Sequence, residues 1–256
     1  MKKSFLPIIK VIEEAYVIPQ LGRERRIAAL LPHNYYETDK NYPVLYLHDG
    51  QNLFDDNAPY GNWGVDHSLA WMSEMGLPEV IIIAIDHGNV DRLREYAPFS
   101  NHRVGEAEGA LYLRFLLETL RPYVNKNFRV LTDGANTGIG GSSMGGLISL
   151  YAGLHRPEIF SKWMIFSPSL WIAPRIFEKS KLFTDVYFPT SLYLYAGGKE
   201  SKEHLPNVLR LAKHLKRDDL KEQRFRMQVA VNREGTHSEH YWGQEFPRAV
   251  YWLFGQ

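Results

Sequence analysis

A serine hydroxyl becomes a nucleophile only where the backbone exposes it and a base can take its proton. The run Gly140-Gly141-Ser142-Ser143-Met144-Gly145-Gly146 offers such a place. Gly141, Ser143 and Gly145 fit the G-x-S-x-G frame, in which a strained strand-to-helix turn exposes a serine and tolerates no bulk beside it. With Ser142 as nucleophile, Met144 would fall where the downstream glycine belongs, so Ser143 is favoured. The turn formers Asp133-Gly134-Ala135-Asn136 precede a short strand at Thr137–Gly141. An apolar helix from about Met144 to His155 then ends ahead of Pro157. Serines here could merely cap that helix. The strand–turn–helix context favours catalysis.

Base and acid are expected further along, in the order Ser, acid, His, each on the loop after a later strand. Of ten histidines, His237 and His240 lie between the last strand and the last helix. His237 is nearer the strand end and follows Gly235, which favours it over His240. After the strand Leu192–Ala196 comes Gly197-Gly198-Lys199-Glu200, which places Glu200 to orient an imidazole, with Glu203 as its nearest competitor. An oxyanion hole needs two backbone N–H groups. Met144 follows the nucleophile and supplies one. Gln51 is the natural second, since Gly50 turns the chain tightly after the strand Pro43–Leu47. His48 and Asp49 read as hydrogen-bonding residues of that loop. The spacing His237-x-x-His240 has no obvious third metal ligand nearby, and the chemistry requires no metal or organic cofactor.

These residues need a sheet to bring them together. Glu14–Ile18 and Arg26–Leu31 read as an antiparallel hairpin, and Pro43–Leu47 and Glu79–Ile85 as strands buried on both faces. Glu106–Val124 reads as a long amphipathic helix. Strands at Trp163–Phe166, Leu192–Ala196 and Phe225–Val231 follow, with helices near Leu205–Lys216 and Gln244–Phe254. Alternating strands and helices after a hairpin give an α/β fold with a mostly parallel sheet and helices on both faces. One domain over residues 1–256 is the economical reading. The chain is 45% hydrophobic, carries a net charge of +1 and has no cysteine. Disulfides and a thiol nucleophile are therefore excluded, and nothing favours nucleic acid or an anionic membrane as partner. The apolar run Phe5–Ile9 is cut by Lys10, Glu13 and Glu14, too early for a signal-peptide core, so a cytoplasmic protein is expected.

Several stretches taken together resemble the putative-esterase family of α/β-hydrolases, which includes enterochelin esterases, esterase D and feruloyl and acetyl-xylan esterases. They are Leu47-His48-Asp49-Gly50-Gln51-Asn52-Leu53-Phe54, Arg94-Glu95-Tyr96 with Pro98, Gly141–Gly146, Phe166-Ser167-Pro168-Ser169-Leu170-Trp171, Gly197–Glu200, and His237-Ser238-Glu239 with Trp242. The resemblance spans about residues 11–254. It implies an α/β-hydrolase fold with Ser143, His237 and Glu200 as catalytic triad. It also implies that Trp171 lines the acyl or leaving-group pocket, and adds Asp49 and Arg94 as substrate-binding positions.

The expected activity is hydrolysis of a small-molecule ester through an acyl-enzyme. Acyl transfer on the same triad and a non-catalytic binding protein on the same scaffold are the alternatives. Trp63, Trp171, Tyr241 and Trp242 stand near the expected mouth, where an aryl or sugar-bearing ester would fit. The segment Ser167–Thr190 is where such folds carry a lid. It holds Pro168, Pro174 and Pro189 with charges between and no long apolar helix, so soluble esters are expected rather than lipids.

Overall fold

The computed structural model describes residues 4–56, 58, 61–183, 189–216 and 224–255. An antiparallel hairpin of β1 (Ile8–Ile18) and β2 (Arg23–Leu31) opens the sheet. Its turn closes with the Leu21 and Gly22 N–H groups on the Ile18 carbonyl, and Gly22 adopts φ +63°, which costs glycine little. β1 reaches six residues further back than the run Glu14–Ile18. Two register shifts, between Val11 and Glu13 and between Glu13 and Tyr16, break the alternation that would have shown it.

The strands β3 (Val44–His48), β4 (Ile81–Ile85), β5 (Thr137–Ser142), β6 (Lys162–Phe166), β7 (Thr190–Gly197) and β8 (Phe225–Asn232) complete the sheet. Their order is β1-β2-β4-β3-β5-β6-β7-β8, parallel from β4 onward. Every residue of β3, β4, β5 and β7 is buried, as strands covered on both faces must be.

The covering helices are α1 (Gln51–Phe54), α2 (Val65–Glu74), α3 (Arg92–Glu95), α4 (Gly109–Phe115), α5 (Arg121–Asn127), α6 (Ser143–His155), α7 (Ile176–Lys181), α8 (His204–Leu215) and α9 (Glu239–Phe254). On one face Leu116, Val124, Leu147, Leu150, Val208 and Leu211 form a core with Tyr46 and Ile139. On the other, Leu69 and Met72 of α2 meet Phe246 and Val250 of α9 over Leu45, Leu47 and Ile82. Each fully buried aliphatic side chain contributes roughly 1.5–3 kcal/mol.

Two helices differ from the sequence expectation. The long helix over Glu106–Val124 is α4, a π turn at Leu116–Leu120, and then α5. Pro122 has no N–H to donate to the preceding turn, which is where the ladder widens. α9 begins at Glu239, five residues ahead of Gln244, with Ser238 in extended conformation at its N-cap. No helix among the described residues is long and apolar enough to cross a membrane. The C-terminal ends of the parallel strands share one rim. There a sheet of this kind gathers functional loops.

Candidate active site

Ser143 leaves β5 with φ +57° and is the first residue of α6. A left-handed serine is strained, and its neighbours show why the turn is kept tight. A Cβ on Gly145 would lie 2.9 Å from Asp49 Oδ2 and 3.0 Å from His48 Cβ, and one on Gly141 would lie 3.0 Å from the Gly145 carbonyl carbon. The β3 loop and the start of α6 are thus in contact through glycine. Ser142 occupies the N-cap position in extended conformation and is buried. Ser143 Oγ lies 3.1 Å from Ser169 Oγ, and Ser169 N–H donates to the Ser143 carbonyl at 3.0 Å. The hydroxyl in this arrangement bonds Ser169 rather than His237.

His237 and Ser143 line one cleft of about 520 Å³. His237 is 43% exposed, and its Nδ1 donates to Glu200 Oε2 at 2.6 Å, which leaves Nε2 for a proton transfer. Its ring meets the Trp242 indole edge-on at 4.8 Å. Glu200 is 2% exposed. Its Oε1 accepts from Gly197 N at 2.8 Å and from Ser167 Oγ at 2.6 Å, and His204 Nε2 lies 3.3 Å from Oε2. Burial would raise the Glu200 pKa. The hydrogen bonds from His237 and Ser167, the nearby His204 and the Gly197 N–H outweigh it and hold the carboxyl below its ordinary value. Glu203, the competing acid, is exposed at the N-cap of α8. His240 is also exposed, packs on Tyr241 and contacts Gln244, outside the cleft lining.

The other rim of the cleft is built on β3 and β4. Asp49 has φ +58° and takes Arg92 bidentately, with Nε to Oδ1 at 2.6 Å and Nη2 to Oδ2 at 2.7 Å. Burial disfavours the Arg92 charge, but Asp49 outweighs it and raises the guanidinium pKa. His48 is fully buried, with Nδ1 2.8 Å from the Gly140 carbonyl, and burial lowers its pKa to about 4. It is a neutral hydrogen-bonding residue tying β3 to β5. Gln51 and Met144 each stand at the first or second position of a helix, so neither N–H has an intrahelical acceptor. The Gln51 side chain accepts from His87 N–H at 3.1 Å.

Of the remaining expected positions, Arg94, Trp171 and Trp63 lie apart from this cleft. Arg94 is directed to Glu108 at 2.8 Å and to the Glu106 carbonyl, and Trp171 is 55% exposed with Arg103 stacked on it at 5.2 Å. Neither lines the cleft, whereas Arg92, two residues before Arg94, does. Trp63 is a core residue stacked on Phe166, and buried Trp242 lines the cleft with its N–H on Ser167. Leu170, Ile172, Ile176 and Phe177 of the expected lid segment are packed into the core, and residues 184–188 of it lie outside the described residues. Sequence reasoning missed Arg92, Ser167, Ser169 and His204. Ser167 and Ser169 stood in the stretch Phe166–Trp171 that carries the resemblance, and His204 at a four-residue spacing from Glu200, but neither signal gave them a role.

Comparison with known proteins identifies the family and the fold. The family model described as "Putative esterase" matches residues 18–253. The chain is 26% identical over 245 residues to the uncharacterized protein YbbA of Bacillus subtilis, covering 91% of this chain and 93% of that protein. The enterobactin esterase FES from Shigella flexneri superposes with a TM-score of 0.79 at 22% identity, over 98% of this chain and 60% of that one. A ferulic acid esterase from Anaeromyces mucronatus does so with a TM-score of 0.71 at 20% identity, over 100% and 93%. At these identities the two structures share the fold. With 236 of its residues inside the matched span, this chain belongs to the putative-esterase family of α/β-hydrolases and is an esterase.

Proposed function

We propose that the esterase works as a serine hydrolase on a water-soluble carboxylic ester, through an acyl-enzyme. His237 Nε2 takes the Ser143 proton as Oγ attacks the ester carbonyl. The Met144 and Gln51 N–H groups receive the oxyanion, and Glu200 steadies the imidazolium through Nδ1. His237 then protonates the leaving alcohol and afterwards activates water to release the acid. The observation that carries this reading is the 2.6 Å bond from His237 Nδ1 to Glu200 in the cleft that Ser143 lines at φ +57°.

Short acyl chains and polar aromatic acids, such as feruloyl, acyl-sugar or siderophore esters, suit a cleft bordered by Asp49, Arg92, Asn52 and Glu239. Its apolar lining is confined chiefly to Val90, Leu93 and Trp242, too little to build an oil-binding surface. The test is turnover of p-nitrophenyl esters from acetate to palmitate by wild type and Ser143→Ala, with fluorophosphonate labelling. We expect about 10⁴-fold or greater loss of kcat and no labelling in Ser143→Ala. Rates that peak on long chains would contradict the substrate class, and retained labelling would contradict the nucleophile.

A further inference from the structure

Ser167, at the end of β6, has φ +41° and is fully buried. A non-glycine residue holds such a backbone only when its surroundings impose it. Its N–H donates to the Tyr195 carbonyl of β7 at 2.9 Å, which sets the direction of its side chain. The hydroxyl then has two partners. It donates to Glu200 Oε1 at 2.6 Å and accepts from Trp242 Nε1 at 3.0 Å. An indole can only donate, so the single Ser167 proton is committed to Glu200.

The two oxygens of Glu200 consequently do different work. Oε1 is anchored by Ser167 and by the Gly197 N–H, and Oε2 faces His237 at 2.6 Å and His204 at 3.3 Å. The Tyr195 phenol also faces this carboxylate. With Oε1 held, the carboxylate plane cannot turn, and Oε2 stays aimed at His237 Nδ1. The same loop carries Ser169, whose hydroxyl is 3.1 Å from Ser143 Oγ. One short segment therefore touches both the nucleophile and the acid.

We propose, resting on the Ser143–His237–Glu200 reading, that Ser167 is a positioning residue for the catalytic acid, its hydroxyl aligned by Trp242 so that Glu200 keeps one oxygen for His237. The left-handed backbone is the strain accepted for that placement.

Ser167→Ala and Ser167→Gly separate the hydroxyl from the backbone. Both lose the hydrogen bond to Glu200, and only glycine relieves the left-handed conformation. In the full chain with p-nitrophenyl acetate between pH 5 and 9, both variants are expected to lose about tenfold in kcat. A carboxylate with one donor fewer draws the His237 proton more strongly. The acid limb of kcat/KM should therefore move up by about half a pH unit. The Tm of Ser167→Gly should exceed that of Ser167→Ala while their activities match. Trp242→Phe, which removes the indole donor together with part of the ring packed on Trp63 and His237, should lower kcat in the same direction.

Activity that follows the Tm values, with the glycine variant recovering, would reduce Ser167 to a structural residue and overturn the proposal. So would kcat within twofold of wild type and an unmoved acid limb. Ser143→Ala assayed alongside separates the two levels. An active Ser143→Ala sinks the triad reading itself, whereas an inactive one beside wild-type-like Ser167 variants sinks only the role of Ser167.

Discussion

Asp49 lines the cleft and Glu200 stands behind His237, and each carboxylate is held by a different kind of partner. Asp49 is locked bidentately by a guanidinium, while Glu200 is held by the imidazole of His237 and by the N–H and O–H groups of Gly197 and Ser167. Arginine keeps its charge at every working pH, so the Asp49–Arg92 pair can fix the β3 loop but cannot move a proton. An imidazole can take up and release a proton, so the Glu200–His237 pair suits the proposed proton transfer. In the proposed mechanism the two pairs divide the work: a permanent ion pair shapes the backbone, and the imidazole–carboxylate pair moves the proton.

The largest effects should fall on the titratable rim. His237→Ala is expected to lower kcat by about 10³–10⁴-fold, with Tm close to wild type because the ring is 43% exposed. His240→Ala, measured in parallel by the same initial-rate assay, should stay within twofold. Comparable damage from both would mean that the second histidine also serves the cleft.

Glu200→Gln should cost about 10²-fold in kcat, less than loss of the base, because the amide keeps an oxygen for Nδ1–H. It should also change the pH dependence of stability. The folded-state pKa of Glu200 lies below its unfolded value, so its contribution is present above about pH 4.3 and is lost as pH falls through the lowered folded value. Urea denaturation between pH 7 and 3 should show a flatter stability profile in the variant.

On the permanent rim the order of effects should reverse. Asp49→Asn leaves the mostly buried Arg92 uncompensated, and a loss of about 2–3 kcal/mol in unfolding free energy is expected, with kcat/KM falling roughly tenfold as the Gln51 loop relaxes. A variant that keeps its stability but loses KM for substrate would break the comparison and return Asp49 to the substrate-binding role implied by the family resemblance.

Arg94→Ala should give the smallest change, under about 0.5 kcal/mol and within twofold in kcat/KM. Its side chain is 42% exposed, and its partner Glu108 keeps Arg23 when the pair is lost. A large rise in KM would show that Arg94 reaches the substrate in the bound state.

What could be read from the chain in advance follows the range of the forces involved. The turn at Ser143 is local: glycine spacing and the strand before it are enough to place Ser143, the proposed nucleophile, on the β5 rim. Glu200 and His237 come from chain order, because each loop of a parallel sheet ends at the same rim. The resemblance points to Arg94 as a substrate-binding position, whereas Arg92 lines the cleft, and nothing in the run from Arg92 to Tyr96 says which arginine turns toward Asp49. That is decided by the pitch of a four-residue helix. The resemblance implies a pocket role for Trp171, yet the β6 loop directs it to solvent beside Arg103. The positive φ of Ser167 leaves no trace in composition, since contacts with β7 and α9 impose it.

A cysteine-free chain gives the elbow at the head of α6 one further use. Ser143→Cys would introduce the sole thiol of the molecule, at the N-terminal end of a 13-residue helix. The helix field and a nearby imidazole favour thiolate there. The rate at which a small alkylating agent modifies that sulfur, followed against pH, reads the electrostatic potential where the oxyanion would form. It does so without a substrate, and so without knowing which ester the enzyme meets.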